Sequence, residues 1–277
     1  MTSLPPESFI DHASTRLLAS YDRAEPIDPV ELSEIVDTIV ASAIVNEIAR
    51  RRVSRGERRR GYKIGFTNRT IWPLYGVDHP IWAPIYDTTV ADLAAEQHRV
   101  RLRGLLEPRL EPEIVLCLAA PPERADAESV ARSLAWVAHG FEIVQSAYPG
   151  WRFSGAQSFA AQGLHGRLLI GPRIPASCLA DRPAALVSAL AGLSLTLFEG
   201  RNSDARDRGV GANVLDGPCH AVVHLINELG RHGATLCAGD IITTGTITDA
   251  QPLSPGQFWR TEIEGLPGLA GLHLEAC

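Results

Sequence analysis

Apolar residues recur at helical spacing from the start of the chain. Phe9, Ile10, Ala13, Leu17, Leu18 and Tyr21 fall on one face, so a first helix is predicted there. A second is predicted from the start signal Asp28-Pro29-Val30-Glu31. Asp28 can cap, Pro29 fits the first helical position, and Glu31 completes a capping-box pattern. Ile35, Val36, Ile39, Val40, Ala43, Ile44 and Ile48 then form an apolar stripe, and Gly56 supplies a stop.

Beyond residue 60 the texture changes to short apolar runs punctuated by Gly and Pro, as strands are between turns. YKIGF (62–66), EIVLCLA (113–119), FEIVQS (141–146) and SLTLFEG (194–200) read as strands. GDIITTGT (239–246) and the tail from FWRTEIE onward read the same way. Residues 126–139, AALVSALAGL (184–193) and HAVVHLINELGRHG (220–233) carry helical patterns. Helices first and strands afterwards predict an α+β fold. A small helical N-terminal region (1–60) is expected to precede a β-rich catalytic domain of mixed sheets (61–277).

Composition narrows the function classes. The 277 residues are 45% apolar and 21% charged, enough for one large domain or a main domain with a smaller partner. The net charge of −6 is spread over both signs, and no basic stripe of the kind a nucleic-acid binder carries is visible. The arginine-rich stretch 50–60 is short, broken by Gly56, and reads as the solvated end of the second helix. The longest largely apolar run, Ala184–Phe198, is too short for the roughly 20 residues of a membrane span. The first residues lack a basic segment followed by an apolar core, so no secretory signal is read. Five scattered cysteines without a C-x-x-C pair argue against a disulfide framework or a structural zinc site. A cytoplasmic setting is the expectation.

The informative chemistry lies in EPEIVLCL. On a strand, residues two apart share a face, so Glu111 and Glu113 project side by side from an otherwise apolar strand. Adjacent carboxylates raise one another's pKa unless a cation compensates, and a divalent ion such as Mg²⁺ is a natural compensator. Glu142 opens a further apolar strand, where a charge is costly unless paired or liganded. From spacing alone, three exposed strand-end acids, or acids paired with Arg101, Arg103 or Arg109, are the favoured reading over a metal site. RGVGANVLDG (208–217) fails as a dinucleotide fingerprint, because Val214 stands where the third glycine should. His220 and His224 have the four-residue spacing of some zinc sites but lack the accompanying Glu, and read as packing residues.

The strings GYKIGFT (61–67), EPEIVL, HGFEIVQS and GDIITTGTITDAQPLSPG (239–256), in that order, resemble the hydratase/decarboxylase branch of the fumarylacetoacetate hydrolase superfamily. That branch contains 2-keto-4-pentenoate hydratases and 4-oxalocrotonate decarboxylases. The resemblance implies a fumarylacetoacetate-hydrolase-like fold and Glu111, Glu113 and Glu142 as ligands of Mg²⁺ (or Mn²⁺). It implies Lys63 as a catalytic group beside metal and substrate. Thr244, Gly245 and Thr246 would hold the substrate carboxylate, with Asn213 and His165 as weaker substrate contacts. Walls are expected around Trp72, Tyr75 and Trp82 and from loop 148–165, and a homo-oligomer is expected by resemblance alone.

Two departures stand out. Relatives commonly carry an acid where this chain has Gln145, and another where it has Ala161. An acid that could orient water or relay a proton is thus absent at two places, so a substrate or reaction different from the standard hydratase, or a loss of catalysis, is an open expectation. The resemblance itself implies a hydro-lyase acting on a small unsaturated 2-oxo acid, with hydration of a 2-keto-4-pentenoate-like substrate favoured. Decarboxylation of a 4-oxalocrotonate-like acid, C–C hydrolysis of an acylpyruvate and a non-catalytic member of the fold stand as alternatives.

Overall fold

In a computed structural model, the described residues are 6–75, 77–201 and 203–277, without the side chains of Leu74 and Tyr75. In chain order the elements are α1 (Glu7–Arg23), α2 (Thr38–Ser54), β1 (Arg59–Gly65), α3 (Trp72–Tyr75), β2 (Ile81–Tyr86), β3 (Val90–Asp92), β4 (Arg99–Val100) and β5 (Arg109–Leu118). There follow α4 (Ala127–Arg132), β6 (Leu134–Val144), α5 (Gly155–Ala160), β7 (His165–Ile170), β8 (Ile174–Pro175), α6 (Pro183–Gly192), β9 (Ser194–Glu199) and β10 (Asp207–Val210). The chain ends with α7 (Pro218–Arg231), β11 (Ile241–Thr246), β12 (Gln251–Pro252), β13 (Phe258–Glu264) and β14 (His273–Ala276). Helices lead and strands follow, the α+β order predicted.

Two predicted helices come out differently. The Asp28 signal is real, with its capping box formed, but it starts only a short 3₁₀ turn over Pro29–Leu32. The long helix begins at a second cap, Asp37, whose carboxylate accepts from the Val40 N–H at 2.9 Å. Two start signals lie in series, and periodicity alone joins them. The helix predicted over 126–139 stops at Arg132, and strand β6 begins at Leu134. The run LAWVAHGF is apolar nearly throughout, so it fits a buried strand as well as a buried helix. Pairing with β5 on one side and β7 on the other decides for strand.

Among the described residues the larger sheet has nine strands in the order β2-β1-β11-β5-β6-β7-β3, with β12 on β5 and β8 on β6. A five-stranded sheet runs β10-β9-β13-β14-β4. The antiparallel β5–β6 pair sets Glu111 opposite Glu142 and Glu113 opposite Gly140. Parallel pairing of β1 with β11 brings Lys63 level with Thr243. His139 on β6 ties the two sheets together. Its Nδ1 donates to the Glu113 carbonyl at 2.9 Å and its Nε2 lies 2.9 Å from Thr261 Oγ1 on β13. Burial pushes this imidazole down to about 4, so the neutral ring makes the bridge.

One apolar core runs from Leu17, Ile44 and Ile48 on the leading helices, through Tyr62, Trp82 and Phe141, to Leu190, Leu225 and Trp259. The helices α1 and α2 thus pack into the same interior as the sheet that carries the acids. The arginines at the end of α2 meet carboxylates: Arg51 pairs with Glu47 and Asp11, Arg52 with Glu57, and Arg55 with Asp22 and Glu57. No helix among the described residues is long and apolar enough to cross a membrane.

Candidate metal centre and active site

The register of β5 and β6 gathers Glu111, Glu113 and Glu142, and one carboxylate oxygen of each lies within 4.8 Å of the others. Glu113 and Glu142 are fully buried. Burial comes first in raising the Glu111 carboxyl to about 7, with Glu142 adding to it and Lys63 opposing. Glu113 is pushed well above the usual range by burial, then by Glu142 and Glu111. Burial also works against the Glu142 carboxylate, but Lys63 and His165 outweigh it and bring the group to about 2. Of the three, Glu142 is thus the one firmly anionic.

Lys63 Nζ lies 3.1 Å from Glu142 Oε2, with both side chains almost wholly out of solvent. Desolvation disfavours the ammonium, yet Glu142, Glu111 and Glu113 together hold its pKa above the ordinary lysine value. It is a fixed positive charge among three acids. Glu142 Oε1 in turn accepts from His165 Nδ1 at 2.7 Å, and His165 Nε2 lies 2.9 Å from Thr89 Oγ1. His165 therefore stands behind Glu142 and is not among the residues that line the cavity described below, where the resemblance implied a substrate contact.

The Thr-Gly-Thr segment of β11 closes the other side. Glu113 Oε2 accepts from the Gly245 N–H at 2.8 Å and from the Thr243 hydroxyl. Its second oxygen, Oε1, is buried without a hydrogen-bond partner. Gly245 sits at φ +105°, and a Cβ there would fall 1.8 Å from Thr67 Oγ1, so no other residue fits the turn. Thr244 points into the sheet and donates to the Ile114 carbonyl at 2.9 Å. Thr246 faces the cavity and donates to the Thr248 carbonyl at 2.8 Å. Asn213 Nδ2 donates to the Ile247 carbonyl at 3.0 Å and braces the turn from outside the cavity.

A cavity of about 250 Å³ opens over this cluster. Lys63, Glu111, Gly163, Gly245 and Thr246 form its polar floor, and Ile64, Phe66, Ile71, Ile81, Val144, Trp151 and Leu164 give apolar walls. Arg109 and Asp249 complete the charged lining. Of the expected walls, loop 148–165 contributes Trp151, Gly163 and Leu164. Trp72 instead donates its indole N–H to the Phe66 carbonyl at 2.8 Å. Trp82 packs edge-on against Tyr62 and Phe159 in the core. The side chain of Tyr75 lies outside the described residues.

Sequence reasoning missed Arg109 as a lining group, Asp249, and the support given by Thr243 and Thr89. Arg109 carried a readable signal, since it lies two and four residues before Glu111 and Glu113 on the same strand face. Asp249, Thr243 and Thr89 carried none, because only the pairing of distant strands brings them here. The two positions where the resemblance led to the expectation of acids are built into scaffold. Gln145 accepts from the Leu106 N–H at 3.1 Å, and the Ala161 carbonyl takes the Tyr21 hydroxyl at 2.8 Å.

Clustered strand acids, a buried lysine and an apolar-walled cavity define a small-molecule enzyme site of the cation-assisted kind. Residues 77–271 match the fumarylacetoacetate (FAA) hydrolase C-terminal family, and the chain belongs to that family. It is 30% identical over 233 residues to a 4-oxalocrotonate decarboxylase from Pseudomonas sp, covering 83% of this chain and 84% of that protein. It is 27% identical over 263 residues to the 2-hydroxyhexa-2,4-dienoate hydratase of Comamonas testosteroni, covering 94% and 96%. In fold it is similar to the 4-oxalocrotonate decarboxylase from Pseudomonas putida G7 complexed with magnesium and adipate. The TM-score is 0.86 at 23% identity, over all of both chains.

Proposed function

We propose that this chain is a divalent-metal-dependent lyase acting on a small unsaturated 2-oxo acid, with hydration of a 2-keto-4-pentenoate-like substrate as the leading reaction. The observation that carries this reading is the triad Glu111, Glu113 and Glu142, converging within 4.8 Å beneath a cavity that Glu111 lines. The partnerless, buried Glu113 Oε1 fits a cation site, since a buried carboxylate oxygen is costly without a partner. All-oxygen donors suit Mg²⁺ or Mn²⁺. When bound, such a cation supplies Lewis-acid polarisation of the 2-oxo group and stabilises negative charge on its oxygen.

The chain's own residues would do the rest. Lys63 Nζ, held by Glu142 and kept protonated, is placed to donate to the 2-oxygen as charge develops there. Thr243 and the Gly245 N–H fix the Glu113 carboxylate, so the ligand geometry does not depend on the substrate. The apolar walls exclude bulk water and strengthen these interactions. A second reading, decarboxylation of a 4-oxalocrotonate-like acid, draws on the same charge stabilisation and is favoured by the 30% identical relative. Acylpyruvate hydrolysis needs a base for water, and no histidine among the described residues lines the cavity. The division into residues 1–60 and 61–277, a cytoplasmic setting and a homo-oligomeric state belong to the same proposal.

The test follows the ultraviolet absorbance of a 2-hydroxydienoate with Mg²⁺ or Mn²⁺ and then with chelator. Turnover is expected with metal, and its loss with chelator and in Glu113→Ala. Normal rates in that variant would refute the metal assignment, and metal binding without conversion of a panel of 2-oxo acids would mark a non-catalytic member of the fold.

A further inference from the structure

Adding water to a conjugated 2-oxo acid needs a base for the attacking water, and the proposed function leaves that role unfilled. The acids expected at positions 145 and 161 are absent, and both positions are taken up in scaffold. Among the described residues that line the cavity there is no His, Cys or Tyr, and the ionisable side chains are Lys63, Arg109, Glu111 and Asp249. An arginine does not give up its proton in a protein. Lys63 is kept protonated by the acids around it, and Glu111 belongs to the cation cluster. Asp249 is left.

A break in strand pairing brings Asp249 to the cavity. Thr246 of β11 stands opposite Glu113, and the Ile247 N–H donates to the Pro112 carbonyl at 3.1 Å. Pairing resumes with β12, where Gln251 stands opposite Leu110. Thr248, Asp249 and Ala250 are therefore set against Glu111 alone, where regular pairing would place a single residue, and all three line the cavity. Bulges of this kind re-aim side chains beside active sites. The bulge is pinned: the Asp249 N–H donates to Asp207 Oδ2 at 2.8 Å, and the Asp249 carbonyl accepts from Gln251 Nε2 at 3.2 Å. Its carboxylate forms no ion pair among the described residues, and the residue is exposed, so water reaches it.

We infer that Asp249 is a catalytic residue, the general base for the water that adds to C4 of the substrate. The inference rests on hydration as the reaction and fills the step which that reading left without a residue. The reacting form is the 2-oxo-3-enoate, whose C3=C4 bond is conjugated with the 2-oxo group. The water oxygen bonds to C4 while one of its protons passes to the Asp249 carboxylate. The C3=C4 pair becomes a C2=C3 bond, and the carbonyl pair moves onto the 2-oxygen, where the Lys63 ammonium meets the charge. The enolate then takes a proton at C3 from the Asp249 carboxyl, the carbonyl re-forms and the base is restored. One water is added, and no other reactant is needed.

The experiment follows hydration of 2-hydroxypenta-2,4-dienoate by the Mg²⁺-loaded full chain, with Mg²⁺ affinity measured calorimetrically alongside. In Asp249→Asn, kcat is expected to fall at least ~100-fold, the lower end of what a positioned base contributes, with Mg²⁺ affinity unchanged. Asp249→Gly should recover part of the lost rate when formate is added as a replacement base, and Asp249→Asn should not. A wild-type kcat in Asp249→Asn overturns the inference. So does a loss that formate fails to repair in an Asp249→Gly that still binds Mg²⁺, and so does a loss of Mg²⁺ affinity in both variants, which marks a structural role. A wild type that decarboxylates a 4-oxalocrotonate-like acid or cleaves an acylpyruvate, and leaves the dienoate unhydrated, overturns the inference and hydration together. A wild type inert toward all three substrates overturns the proposed function beneath it. The wild-type rates thus separate failure of that reading from failure of the role given to Asp249.

Discussion

At the scale of single residues, the acids differ in what burial does to them. Glu142 has two partners, Lys63 and His165, and is held to about 2, whereas Glu111 rises to about 7 and Glu113 well above its ordinary value. A carboxyl raised in the folded state binds more protons folded than unfolded, so its stabilising effect is present at low pH and fades as pH climbs past 4.5 through the folded value. Buried His139 and His165, held below the usual histidine value, act the opposite way, but only up to the ordinary range near 6.5. Above pH 7 the carboxyls therefore set the slope. Melting curves of chelator-treated protein should fall between pH 7 and 8. Calorimetric Mg²⁺ titrations should strengthen over the same interval and release protons, seen as a dependence on buffer ionisation heat. A pH-independent Mg²⁺ affinity would contradict this account. The pair Glu111 and Glu113 was legible in the sequence because strand alternation is a local rule. Their unequal ionisation was not, because it depends on how Lys63 and Glu142 are packed around them.

At the scale of elements, four neighbouring strands make the site: β1 brings Lys63, β6 brings Glu142, and β5 and β11 supply the rest. β5 carries Arg109, Glu111 and Glu113 on one face, and β11 supplies the hydroxyl and N–H that hold Glu113. The turn at Gly245 works because the chain there runs at φ +105° against the Thr67 side chain. Gly245→Ala forces both a left-handed backbone and a collision, and should cost at least about 1–3 kcal/mol. Urea denaturation would register that loss, and Mg²⁺ affinity should drop with it, since the Glu113 support moves. A variant as stable as wild type would show the turn to be adaptable. The sequence located β1, β5, β6, β9, β11, β13 and β14 by their apolar runs, and passed over β2, β7 and the short strands. It placed a helix over 126–139 and started the second helix too early, because apolar run and cap signal are read locally. The strand partners of β6 and the second cap at Asp37 settled both.

At the scale of the whole molecule, a continuous core couples the leading helices to the sheet that carries the acids. A cation that binds only the folded arrangement stabilises the entire unit. Mg²⁺ at a hundred times its dissociation constant contributes about 2.7 kcal/mol. In a chain of this size that raises Tm by about 5–10 °C. Scanning fluorimetry with and without Mg²⁺ should show the shift, and Glu113→Ala should abolish it. An equal shift in the variant would place the ion elsewhere.

The sequence by itself determined the lead of helices over strands and the shared face of Glu111 and Glu113. These follow from periodicity and backbone sterics, which act over a few residues. Only the tertiary structure decided that Glu142 meets that pair, that His165 backs Glu142 and does not line the cavity, and that Arg109 lines the cavity and stacks on Trp151. Those facts depend on the register between β5, β6 and β7 and on the stacking of Arg109 against Trp151. Strand register is a long-range choice made by the packing of the whole sheet, and no local pattern encodes it.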